Sequence, residues 1–127
     1  MTTTSQNQDF TEGLVLFNCA RFFDAHEVLE DAWRATARDG AENQAPRRHL
    51  QGLIQLAVAF HHESTGNHIG ARSLMERALL NLNGADSSFP ELDLGRLRTE
   101  LEEWQKYFAG AVPRPQPPQV TMRNSSR

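Results

Sequence analysis

His26, Glu30 and Trp33 are spaced so that one helix would carry all three on a single face, since offsets of four and seven return to the same side. Phe23 flanks that face, and Glu27 lies toward its outer edge. A second chemical strip runs through HLQGLIQLAVAFHHE, residues 49–63. Wound as a helix at about 100° per residue, this stretch is apolar nearly all round. Gln51, Gln55 and His62 nevertheless fall together with Val58 on one narrow strip. An imidazole beside a carboxylate can serve as a general base or a metal ligand. A glutamine amide both donates and accepts. Unpaired and buried, each such group would cost about 1–3 kcal/mol, so the two strips are expected to answer one another. With antiparallel helices joined by a loop centred near residue 43, facing numbers should sum to roughly 86–88, from the helical rise. That register sets His26 by His62, Glu30 by Val58 or Gln55, and Trp33 by Gln55 or Gln51. The expected binding set is His26, Glu27, Glu30, Trp33, Gln51, Gln55 and His62. His26, Glu30 and His62 are the catalytic candidates if there is a reaction.

A metal is not expected. His26-Glu27-Val28-Leu29-Glu30 begins like a zincin motif but ends in Glu rather than a second His. The Glu-x-x-His pairs of di-iron bundles are missing too. No other cofactor motif is present, neither a glycine-rich phosphate loop nor a nucleophile elbow. Cys19, at a helix end with no obvious base, reads as a quiet thiol. Trp33 and Trp104 sit on apolar stripes. His49, His61 and His68 show no ligand spacing, and Arg47-Arg48 is too short a basic run for a nucleic-acid surface.

The elements that must position these residues are helical. Asp9 suits an N-cap before Phe10, Gly13, Leu14 and Phe17, a first helix that ends near Asn18 to Ala20. Phe22 to about Arg38 forms the second, with a stripe of Phe22, Ala25, Leu29, Ala32 and Thr36. Asp39 to Ala45 reads as a loop and Pro46 as the first turn of the central helix. His68 to Leu82 is the fourth helix. Asp93 caps a fifth, which carries Leu94, Leu97, Leu101, Trp104 and Phe108. The fold class is therefore all-α: a compact bundle of about five helices, two antiparallel hairpins (loosely tetratricopeptide-like) and a closing C-terminal helix. One domain is expected over 9–110. Residues 1–8 and the proline-rich 111–127 are expected to be disordered tails.

Composition narrows the function classes. The chain has 127 residues, 39% hydrophobic and 23% charged, with a net charge of -3. That is one soluble domain's worth, with no field drawing it to nucleic acid or an acidic membrane. A single cysteine fits a reducing compartment, and MTTTSQNQ lacks the basic and apolar regions of a signal peptide. A cytoplasmic protein is expected, monomeric or weakly dimeric through exposed positions such as Val28.

EGLVLFNCARFFDAHEVLEDAWR followed by LQGLIQLAVAFHHESTGNHIGARSL resembles the family catalogued as domain of unknown function 309. The resemblance runs from about Glu12 to Leu82. Its motif falls on Phe17, Asn18, His26, Glu27, Glu30, Trp33, Gln51, Gly52, Gln55, Gly66 and Asn67. It implies a compact helical bundle with a shared polar centre, and brings no established activity. Ala20 departs from the pattern, for the resemblance implies glycine and a left-handed turn there. The residues themselves favour a non-enzymatic module that binds a small ligand or a protein partner. The alternative is a small metal- or water-assisted hydrolase using His26 and Glu30.

Overall fold

The computed structural model describes residues 2–36 and 40–123. Among them are five α-helices: α1 (Thr2–Asn18), α2 (Phe22–Ala35), α3 (Ala41–Ser64), α4 (His68–Asn81) and α5 (Leu94–Phe108), with a short 3₁₀ turn at Ala85–Ser87 before the last. The class is all-α, as the periodicity predicts. None of these helices is long and apolar enough to cross a membrane. The tetratricopeptide likeness stays an analogy of spacing.

Each helix forms where burial and capping agree. On α2 the buried residues are Phe22, Ala25, Leu29 and Ala32, four of the five read from spacing; the fifth, Thr36, stands just past the helix end with an extended backbone. On α5 they are Leu94, Leu97, Leu101 and Trp104, and the Asp93 side chain caps the first turn by accepting from the Arg96 N–H at 3.0 Å. Asn67 does the same for α4, accepting from the Gly70 N–H at 3.0 Å. Between α3 and α4 the backbones approach closely at Gly52. A Cβ there would lie 2.8 Å from Leu82 Cγ and 3.2 Å from the Ala78 carbonyl. The glycine after Gln51 is therefore a packing requirement of the α3–α4 pair.

The turn between α1 and α2 is built around Ala20. The Arg21 N–H donates to Leu16 O at 2.9 Å and the Ala20 N–H to Phe17 O at 3.0 Å, the paired bonds of a left-handed helix terminus. Gly66 and Gly110 close α3 and α5 in the same way, but here the left-handed residue is Ala20, at φ 62°. Its Cβ crowds the following carbonyl, a strain of about 1–2 kcal/mol. The extra freedom of glycine in the unfolded chain offsets about 0.4–1 kcal/mol of the relief. Ala20→Gly is thus expected to raise stability by up to about 1 kcal/mol, read as a higher urea midpoint.

Two helix boundaries differ from the sequence reading. The first helix begins at Thr2, not Asp9. The third begins at Ala41 with Pro46 inside it, so what reads as a loop over 40–45 is mostly helix. The expected end of the second helix at Arg38 lies outside the described residues, as do 124–127. Residues 111–123 are extended, as their prolines dictate, but they pack on the bundle: Pro118 and Val120 are buried, Val120 to 4% exposure. An unpacked tail is therefore not what this stretch forms. The core that α5 and this strap close contains Phe17, Phe22, Leu53, Phe60 and Trp104.

Candidate functional site

A cleft of about 350 Å³ lies over α3 between α2 and α4. Ile54, Val58 and Leu74 give it an apolar floor, Gln51 and Gln55 stand along it, and Glu30, Trp33 and Arg34 form the α2 wall. Four of the seven expected binding residues therefore meet here: Glu30, Trp33, Gln51 and Gln55. His26, Glu27 and His62 do not line it.

The helix register explains the division. Because α3 starts at Ala41, the connection is centred well before residue 43, and α3 slides relative to α2. Phe22 meets Phe60 at 5.7 Å and Phe23 meets His61 at 5.3 Å between ring centroids. Trp33 meets Arg47. The facing number is several residues lower than expected, about one helical turn. The expected contact of His26 with His62 gives way to local bonds. His26 Nδ1 pairs with the Phe23 carbonyl at 2.8 Å. Its Nε2 stands 3.8 Å from Glu30 on the same helix. His62 Nδ1 is 3.4 Å from the Asn67 amide, at the α3–α4 turn. Glu27 is exposed. The seam is thus an open cleft rather than a closed buried network.

Within the cleft the polar groups are only partly engaged. Gln55 Oε1 accepts from Asn81 Nδ2 at 2.8 Å, while its own N–H groups and the whole Gln51 amide bond to nothing among the described residues. Glu30 accepts from Arg34 at 3.2 Å, and Arg34 also reaches Asp31 at 2.7 Å. The α2 wall is fixed by a reciprocal clamp. Trp33 Nε1 donates to the Arg47 carbonyl at 3.1 Å, and Arg47 Nη1 donates to the carbonyls of Trp33 and Thr36 at 3.0 and 2.8 Å. The guanidinium carbon lies 3.9 Å from the Trp33 ring centroid, a cation–π contact. Arg47 therefore caps the end of α2, where a cation meets unpaired carbonyls.

Sequence reasoning passed over the two most buried polar side chains among the described residues. Glu63, 3% exposed, bonds to His68 Nδ1 at 2.6 Å and to the Tyr107 hydroxyl at 3.4 Å, with Arg114 Nε at 3.7 Å. Leu56, Phe60 and Glu63 are spaced four and three apart, and that signal alone marks Glu63 as inward-facing. His49, 2% exposed, sits by Ser88 Oγ at 2.6 Å and the Asn83 carbonyl at 3.2 Å, with Arg48 beside its Nε2. Burial first, then the Arg48 charge, holds its pKa below the ordinary 6.5, against a smaller upward pull from the Asn83 carbonyl.

The sign of the resulting pH dependence follows directly. Below pH 6.5 the unfolded chain takes up a proton at His49 that the folded ring resists. The unfolded state then binds more protons, so stability falls as pH drops through and below that value, and the contribution vanishes above it. Urea midpoints measured from about pH 7.5 to about pH 5 are expected to decline, and His49→Gln to decline less.

Among the described residues no three His, Cys, Asp or Glu side chains converge in a way that could hold a metal ion. Cys19 is exposed.

Fold and cleft together define a small all-helical domain with a half-satisfied polar groove at its centre. The chain belongs to the family described as Domain of unknown function (DUF309), whose model matches residues 10–74. An uncharacterized protein of Aquifex aeolicus (strain VF5) is 30% identical over 92 residues, which cover 72% of this chain and 26% of the relative. The uncharacterized protein YpuF of Bacillus subtilis (strain 168) is 34% identical over 91 residues, 69% of this chain and 49% of the relative. This chain therefore spans about half of one curated relative and about a quarter of the other. No solved structure matches it.

Proposed function

We propose that this protein is a non-enzymatic binding module whose α2–α3–α4 cleft takes a small ligand or a short partner segment. The observation that carries this reading is the free hydrogen-bonding capacity of Gln51 and Gln55 above the apolar floor of Ile54, Val58 and Leu74. An apolar concavity with a few convergent polar groups is the usual form of a ligand site. The ligand would set an apolar group on Val58 and Leu74 and amide-like polar atoms on the glutamines. Hydrolysis at His26 and Glu30 has less behind it, because His26 points its Nδ1 at its own helix and stands outside the cleft.

The test is a titration of the labelled chain with amphipathic fragments and short peptides, followed by NMR. The side-chain amide signals of Gln51 and Gln55 and the Trp33 indole signal are expected to move together. Gln51→Ala is expected to weaken any such binder about tenfold, the loss of roughly one good hydrogen bond, with little change in the urea midpoint. Binders that leave all three signals in place, or that bind Gln51→Ala equally well, would show the cleft to be inert.

A further inference from the structure

Residues 111–123 are held on the bundle as a bound peptide is held. Asn18, the last residue of α1, presents its amide to Val120 in both senses: Nδ2 donates to the Val120 carbonyl at 2.8 Å and Oδ1 accepts from the Val120 N–H at 2.8 Å. The Asn18 carbonyl accepts from Gln119 Nε2 at 2.9 Å. Glu100 accepts from the Gln119 N–H at 2.9 Å, and Trp104 Nε1 donates to the Gln116 carbonyl at 3.0 Å. On the other edge the Asp93 N–H donates to Thr121 O at 2.8 Å and the Arg123 N–H to Glu91 O at 2.7 Å, around an antiparallel bridge between Leu92 and Met122. Backbone reading of this kind, with one pocket for a branched side chain, is how extended peptides are recognised at an edge.

We infer that this seat is a recognition site for an extended segment and that its second occupant is the strap of another copy of this chain. Three observations carry the inference. The contacts from residue 114 onward are all made to the bundle, so a strap arriving from a partner would satisfy every one of them. Only the turn at Gly110, φ 82°, and the exposed residues just after it would need to change course, which is the low-cost route to a swapped dimer. The seat is also wider than its present filling. An apolar cleft of about 370 Å³ continues past Val120 between Phe10, Leu14 and Leu92, with Met122 64% and Val15 56% exposed at its rim.

The experiment uses the full chain and a fluorescein-labelled peptide of residues 114–123. In Val120→Asp the chain's own strap loses its buried anchor while the seat is untouched. The peptide is expected to bind Val120→Asp at least tenfold tighter than the wild type, and to lose binding in Asn18→Leu/Val120→Asp. Native mass spectrometry is expected to show a concentration-dependent dimer of the wild type that Asn18→Leu abolishes. Hydrogen exchange on the wild type is expected to be faster at the Gln119 and Val120 amides than at Leu53 to Phe60. Equal peptide binding by the two chains, no binding to Val120→Asp, or a dimer absent or indifferent to Asn18 overturns the inference. So does loss of helical circular dichroism in Val120→Asp, or strap amides as protected as those of α3, since either makes the strap part of the cooperative core.

Discussion

Trp104→Ala is expected to cost about 3–5 kcal/mol, the range for deleting a buried indole. Trp104 is 1% exposed and stands edge-on to Phe60 at 4.9 Å and to Tyr107 at 5.4 Å between ring centroids. It is a side chain through which α5 packs on α3, so truncation opens a cavity between the two helices that neither ring alone can fill. A domain of this size has only about 5–15 kcal/mol in hand, and the variant would be marginal at room temperature. Trp104→Phe separates two contributions. It keeps most of the packing but loses the Nε1 donor to the Gln116 carbonyl, for about 1 kcal/mol. Its loss should also speed exchange in the strap more than in the helices. Urea denaturation followed by circular dichroism gives the first quantity, and hydrogen exchange the second.

Removing the partners of Glu63 is expected to be the next most costly change. The carboxylate side chain is 1% exposed, and its partners His68 and Arg114 are 56% and 57% exposed. His68→Ala/Arg114→Ala leaves the carboxylate inside with only the long Tyr107 hydroxyl contact. Stranding a buried charge costs about 3–5 kcal/mol, and water entering where two exposed side chains stood should hold this case near the lower figure. The opposite change behaves differently. Glu63→Leu removes the buried charge itself, and both partner side chains then turn to water, so it is expected to be close to neutral, within about 1 kcal/mol. A double variant no less stable than Glu63→Leu would show that the cluster is a surface ornament. The same cluster ties the end of α3 to the start of α4, the end of α5 and the first turn of the strap, so the asymmetry between the two changes measures how far one buried carboxylate organises four segments.

Gly52 and Asn67 show how closely the two levels of description are connected. Both fall on the motif of the family resemblance, and each has a local physical reason: one lets α4 approach α3, the other caps α4. Ala20 is similar, since the left-handed turn implied by the resemblance is the conformation its backbone adopts at φ 62°. The cleft was legible only in part. Spacing brings Gln51, Gln55 and Val58 to one strip and Glu30 with Trp33 to another, and they do face a common space. Arg34, Leu74 and Asn81 were not visible, because they come from the far flank of α2 and from α4, and no spacing within α3 points to them.

What the chain by itself determined is everything that depends on neighbours three or four residues away: five helices, their buried stripes, the cap at Asp93, and the two polar strips. Such features follow from the 3.6-residue period and from backbone groups that must be bonded at each helix end. Only the tertiary structure decided how those strips meet. Starting α3 at Ala41 instead of Pro46 slides the register by about one turn. That slide parts His26 from His62 and leaves the glutamines facing open space. Tertiary structure likewise decided the fate of the prolines after Gly110. Their sequence dictates an extended backbone, but whether it lies in water or against Asn18 depends on a seat assembled from α1, α5 and the loop before α5. Short-range sterics fix conformation locally, whereas register and docking are settled by apolar surfaces and amides more than a hundred residues apart along the chain, as Asn18 and Val120 are.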